Sequence, residues 1–277
     1  MKFVPRRLQR TADGSRGKAR WQDWAKGLTS VALVVWLVYL LLGVAADSVA
    51  EQISEETEVR WFKWVDLGDQ PLEDPRFARA QRVFDALCRD PDLRPLPYKL
   101  VHLADKRPNA FALPGGLVAV TDGLLEMVDT EIGMAFVLAH ELGHHQSRHA
   151  LKRLGRTLVT RAALAVVSGA GDLSMLDNGL TLAGLAHTRS QEREADVYAQ
   201  ELLARAGLPA SALAGFFERL SAGPGARPEG LARHFASHPD MDERIADARA
   251  ADVTAGAPYR PALEDAQWLA LREICED

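Results

Sequence analysis

The sequence predicts an α+β fold, mostly helical with one small sheet, preceded by a single membrane-spanning helix. Three observations predict it. An uncharged apolar run occupies residues 28–46. Apolar residues recur at helical spacing over 75–90, 131–149 and 191–206. Two short stretches suited to strands, 98–103 and 116–121, flank a Pro-Gly-Gly turn. The chain has 277 residues, 26% charged and 47% hydrophobic, an ordinary globular composition with enough length to bury a sizeable core.

Residues 1–27 form a basic segment carrying eight of the 33 basic residues and two of the 38 acids, which leaves 25 against 36 and a net charge of −11 on the remainder. A body this acidic lacks the basic footprint that phosphate contacts need, so no nucleic-acid partner is expected. The run LTSVALVVWLVYLLLGVAA at 28–46 follows. As a helix it rises about 28 Å, enough to cross the hydrocarbon core of a bilayer. Asp47, Glu51, Glu55, Glu56 and Glu58 come next, before any basic residue. The positive-inside rule then puts the N-terminus in the cytoplasm and the rest on the periplasmic side of the inner (plasma) membrane. Val44-Ala45-Ala46 also resembles a signal-peptide cleavage site. Both the basic head and the apolar run exceed the about 7–15 residues typical of a signal core, so a retained anchor is expected.

Residues 47–74 read as a connector with the aromatic cluster Trp61, Phe62 and Trp64, and 75–277 as the main domain. Phe77, Ala80, Val83, Phe84 and Leu87 give helix 75–90 its apolar face. Pro114-Gly115-Gly116 turns the chain into the strand at 116–121. Thr130 caps helix 131–149, with continuation toward Leu154. The apolar patch 158–170 is interrupted by Arg161 and too short to span, so it reads as a core helix or a flap. Gly207 and Pro209 end helix 191–206, and helices 211–220 and 239–251 flank a loop at 222–230. Cys88 and Cys275 can close at most one disulfide and cannot form a thiolate metal site. Nothing in the sequence fixes an oligomeric state.

Half of the eight histidines lie in AFVLAHELGHHQSRH, 135–149. His140 and His144 are four apart, so both imidazoles share a helical face, and Glu141 completes an H-E-x-x-H pattern. That arrangement suits a zinc hydrolase in which two imidazoles hold the metal and the carboxylate takes a proton from water. Ile132, Phe136, His140 and His144 form one row, so the histidines continue a core-facing stripe. Gly143, costly inside a helix, makes sense where backbone or substrate comes close. His145 and His149 repeat the spacing without a glutamate between them and read as incidental or supporting. A histidine six residues after His144 would serve one zinc-protease arrangement, but Ala150 stands there. The other arrangement takes a glutamate from a later helix. Ala195, Ala199, Leu202, Leu203 and Ala206 form a stripe that, projected backwards, lands on Glu192, with Asp196 a turn later. Glu192 is the candidate third ligand, Asp196 the residue that orients a ligand imidazole, and Glu194 a solvated surface acid.

HELGH (140–144) followed by RSQEREAD (189–196) resembles the membrane-associated zinc metallopeptidases typified by HtpX, the CAAX prenyl proteases and the BepA-type proteases. NAFALPGG (109–116), VAVTDGLL (118–125) and SHPDMDERI (237–245) extend the likeness over roughly residues 75–250. The resemblance implies a gluzincin fold, one Zn2+ per chain and endopeptidase activity. It implies His140, His144 and Glu192 as ligands, Glu141 as general base and Asp196 as their supporting aspartate. Phe111, Ala112, Leu113, Pro114, Gly115 and Gly116 would then lead into the edge strand on which an extended polypeptide substrate docks. His238 matches a histidine near the metal in related enzymes; it also reads as a loop residue ahead of a helix. Arg189 reads either as a partner of an acid or substrate near the site or as a surface residue. With only one membrane span, the chain fits the water-exposed branch, cleaving unfolded or misassembled envelope proteins. A membrane-tethered, chaperone-like assembly factor with low proteolysis is the alternative.

Overall fold

The computed structural model describes residues 21–63, 74–128, 130–168 and 187–208. The expected helices at 211–220 and 239–251, the loop between them, His238 and Cys275 lie outside the described residues. The chain divides into two units, residues 1–45 and 46–277.

Helix α1 (Trp21–Gln52) extends the expected apolar span at both ends. Its stretch Trp24–Gln52 has a mean hydropathy of 2.4 over its most apolar window, none of it buried, so by length and composition it is able to cross a membrane. In the second unit, the expected connector contains a helix, α2 (Glu55–Phe62), whose N-cap Ser54 accepts from the Thr57 N–H. Helix α3 (Pro75–Leu87) starts as the sequence suggests, with Asp74 accepting from the Arg76 N–H and Pro75 in the first turn.

Three strands form the sheet: β1 (Lys99–Leu103), β2 (Ala110–Leu113) and β3 (Leu117–Thr121), in spatial order β1-β3-β2. β3 pairs in parallel with β1, Leu100 opposite Val118, and antiparallel with β2, Phe111 opposite Ala119. The β2–β3 turn needs its glycines, since Gly115 and Gly116 have φ of 87° and 91°. A Cβ on Gly116 would also stand 3.1 Å from the Pro97 carbonyl oxygen. The strand expected at the edge, β3, is instead central, with β1 and β2 as the two edges of the sheet.

Helix α4 (Asp122–Met127) follows β3 directly, with Thr121 as its cap. Helix α5 (Glu131–Gln146) is capped by Thr130, as expected, but is buried on every side over 131–145 rather than along one stripe. The reason is its position, packed against α3, α7 (Arg189–Arg205) and β2. The core joins Phe77, Phe84 and Leu87 of α3 to Val118 and Val120 of β3, Leu138 and Leu142 of α5, and Leu202 and Leu203 of α7. Each such side chain contributes about 1.5–3 kcal/mol through burial.

The long helix expected over 131–149 does not run through. Arg148 adopts φ 54°, and a new helix, α6 (His149–Ser168), begins after it. The Arg148 guanidinium is buried against the end of α1. Its Nη1 donates to the carbonyls of Ala50 at 2.6 Å and of Ile53, and its Nη2 reaches Glu55 Oε1 at 3.1 Å. Ala50 lies in the last turn of α1, where carbonyls lack partners within the helix, and Ile53 follows directly, so the arginine caps the helix from outside.

Candidate active site

The first turn of α7 is set by a capping box, with the Thr188 side chain accepting from the Gln191 N–H while Gln191 accepts from the Thr188 N–H. This start points Glu192 and Asp196 inward, and both are buried. α7 lies against α5 at Gly143, where a Cβ would come within 2.9 Å of the Ala195 carbonyl oxygen. The mid-helix glycine therefore admits backbone, that of α7, and an alanine would force the two helices apart.

Across this contact the side chains converge. His140 Nε2 and His144 Nε2 are 3.0 Å apart. Glu192 offers Oε2 to the first at 3.4 Å and Oε1 to the second at 3.5 Å. Behind His140, Nδ1 donates to Asp196 Oδ1 at 2.8 Å, which leaves Nε2 as a lone pair facing the cluster. His140, Glu141, His144 and Glu192 are each no more than 3% exposed. Four residues picked from helical periodicity are thus brought together in the structure, with Glu141 buried beside them.

The donor set fits a divalent cation. Bonds of about 2.0–2.2 Å to nitrogen and oxygen in a tetrahedral arrangement place neighbouring donors about 3.3–3.5 Å apart. Two of the observed separations, 3.4 and 3.5 Å, fall in that range and the third, 3.0 Å, is shorter, and the ligand atoms of His140, His144 and Glu192 form a mutually close, buried group. Two other groups among the described residues meet the same spacing but already hold a competing cation. In His144, His149 and His187, Arg153 Nη2 lies 2.5 and 2.7 Å from the ring nitrogens of His187, where it opposes a cation. In Asp74, His102 and Asp122, Arg76 already pairs with the Asp74 carboxylate at 2.8 Å.

With that geometry in place, the pattern of peptidase family M48 matches residues 74–252, well over half of the chain. The chain belongs to this family. Among curated M48-like relatives, the mitochondrial metalloendopeptidase OMA1 of Schizosaccharomyces pombe is 33% identical over 65% of this chain and 55% of its own length. The metalloprotease LoiP of Escherichia coli is 29% identical over 82% of this chain and 90% of its own. The beta-barrel assembly-enhancing protease of Escherichia coli K12 is 31% identical over 55% of this chain but 34% of its own. The chain thus spans about half the length of the first relative and about a third of the last.

Around the M48 motif the structure gives partners to His149, expected to be incidental or supporting, and to Glu194, expected to be a solvated surface acid. His149 lies with Nδ1 2.8 Å from His144 Nδ1, and Glu194 meets its Nε2 at 3.3 Å. Glu194 also accepts from Ser147 Oγ at 2.6 Å, so it is engaged rather than merely solvated. His187 stacks on His144, with ring centroids 3.8 Å apart. Burial lowers the Arg153 guanidinium to about 10, opposed by the negative charge of Glu141 and Glu192. No glycine or proline marks the break at Ser147–Arg148, so only the three-dimensional path shows these contacts. His145 has a scaffold role: its Nε2–H donates to the Leu117 carbonyl at 2.9 Å, and burial lowers its imidazole to about 4, keeping it neutral at pH 7.

Other expected residues are placed without a shared cluster. Arg189 is exposed at the start of α7. Phe111 and Ala112 are buried in β2, Leu113 and Gly115 are half-buried, and Pro114 and Gly116 are buried in the turn. The Gly115 N–H donates to Glu58 Oε1 at 2.9 Å, which ties the turn to α2.

Proposed function

We propose that the chain is a membrane-anchored zinc endopeptidase that cleaves unfolded or misassembled polypeptides on the periplasmic side of the inner membrane. The observation carrying this reading is the convergence of His140 Nε2, His144 Nε2 and Glu192 within 3.5 Å of one another beside a buried Glu141. His140, His144 and Glu192 would hold the zinc. When bound, zinc supplies a Lewis acid that polarises the scissile carbonyl and lowers the pKa of water to about 7.

The side chains do the remaining work. Glu141 takes the proton of the attacking water and returns it to the leaving amine. Asp196 accepts the His140 Nδ1–H and so fixes that ring's tautomer and direction. An extended substrate adds along β2 and its turn, residues 111–116, through sequence-tolerant backbone hydrogen bonds. His238 assists at the developing oxyanion, and the exposed Arg189 pairs with an acid near the site or with substrate. Eight basic residues before the apolar run 28–46 and five acids after it, ahead of any further basic residue, support the orientation.

A tethered assembly factor is the competing reading, favoured by the similarity to beta-barrel assembly-enhancing proteases. The complete set of ligands and base supports cleavage instead. Glu141→Gln is expected to retain zinc while hydrolysis of an unfolded protein falls about 10²–10⁴-fold. Full proteolysis by this variant would sink the mechanism, and unimpaired client maturation without proteolysis would favour the assembly factor.

A further inference from the structure

On an unbroken helix, residues five apart point about 140° away from each other around the axis. His149 would then look away from His144. The left-handed Arg148 prevents this by breaking the helix between α5 and α6, and His149 meets the back of the His144 ring. The two Nδ1 atoms stand 2.8 Å apart in a buried contact, with the rings edge to face and centroids 5.1 Å apart. On the far side of His149, Nε2 meets Glu194 Oε2 at 3.3 Å, and Ser147 Oγ donates to the other oxygen of that carboxylate at 2.6 Å.

Proton bookkeeping gives this row a direction. A neutral imidazole carries one N–H. If His144 offers the lone pair of Nε2 to a metal, its proton sits on Nδ1. His149 Nδ1 must then accept it, which puts the His149 proton on Nε2, toward Glu194. We propose that His149 and Glu194 are positioning residues for the metal centre: His149 receives the His144 Nδ1–H, and Glu194 holds His149 in the one neutral tautomer able to do so. His140 is held by a carboxylate in direct contact, whereas His144 is held through an intervening ring. The break between α5 and α6 is what makes the second arrangement possible.

This proposal rests on the reading of His140, His144 and Glu192 as ligands, and the test separates the two. The full-length chain is titrated with zinc against a chromophoric chelator. It is also loaded with cobalt(II) for its absorption spectrum, and melted without metal. His149→Leu is expected to weaken zinc binding about 10–100-fold, as for other residues behind metal-bound histidines. Glu194→Ala, at a side chain 59% exposed, should weaken it less, about three- to tenfold, with an altered cobalt spectrum and an unchanged metal-free melting temperature. Glu194→Gln keeps an acceptor oxygen and should recover part of the loss. If His149→Leu does not fold, the Glu194 pair decides. Zinc affinity and cobalt spectrum equal to wild type in Glu194→Ala would overturn the proposal, as would an affinity loss matched by a fall in metal-free melting temperature. A wild-type chain that holds no zinc would overturn the ligand reading itself.

Discussion

Cys88, the C-cap of α3, shows what a single environment does to a single group. Burial raises its thiol to about 12, with the nearby Asp85 charge adding to the effect. Only the thiolate reacts with alkylating agents, so the folded chain presents very little of it at pH 8. In a Cys275→Ser background, iodoacetamide at pH 8 is expected to modify Cys88 about a thousandfold more slowly in the native chain than in urea. The unfolded thiol ionises near pH 9 while the folded one resists to about 12, so stability is lost as pH rises through that interval. Equal alkylation rates in the two states would contradict this burial. The same scale shows what was readable in advance. The grouping of His140 with His144 and of Glu192 with Asp196 was legible because helical periodicity is local: spacing within α5 and within α7 tells which side chains share a face. For His149 the spacing left an incidental and a supporting role open, and Glu194 read as a solvated acid, because their contacts depend on a turn at Arg148 that an arginine does not advertise.

Between elements, Arg148 carries the heaviest duty. Its backbone is in a region that costs a non-glycine residue about 1–2 kcal/mol, yet its buried guanidinium satisfies carbonyls at the end of α1 and meets Glu55. Arg148→Ala retains the strain and orphans those acceptors, so a loss of about 3–5 kcal/mol in urea unfolding is expected. Arg148→Gly removes the same guanidinium but relaxes the backbone, and should be the more stable variant by about 1 kcal/mol, reversing the usual order of alanine and glycine. Alanine above glycine would argue against the left-handed conformation. The helices α3, α5 and α7 and the strands β1 and β3 were legible from apolar spacing and turn residues. β2 was visible only as part of NAFALPGG, since four residues with three buried in a row show no alternation. The α5–α6 break and α2 were missed because both are held by tertiary partners.

For the whole molecule, the apolar helix and the charge difference across it lead to a prediction about sidedness. A reporter active only outside the cytoplasm, fused after residue 63, is expected to be active, and the same reporter fused after residue 20 inactive. The reverse pattern would place the M48 region in the cytoplasm and remove the envelope reading. The family and the overall class were legible because H-E-x-x-H, the later Glu-x-x-x-Asp and the flanking motifs occur in order. How the chain knits its segments together was not, because that depends on charged residues with no periodicity to betray them. Beyond Ala46, the last turns of α1 belong to the folded body. Asp47 pairs with Arg156, Glu51 with Lys152, and the carbonyls of Ala50 and Ile53 with Arg148. Anyone trimming the anchor to obtain a water-soluble version has a natural cutting point at Ala46. Cutting at Pro75, where the family match all but begins, would strip Arg94, Arg148, Lys152 and Arg156 of their acidic counterparts.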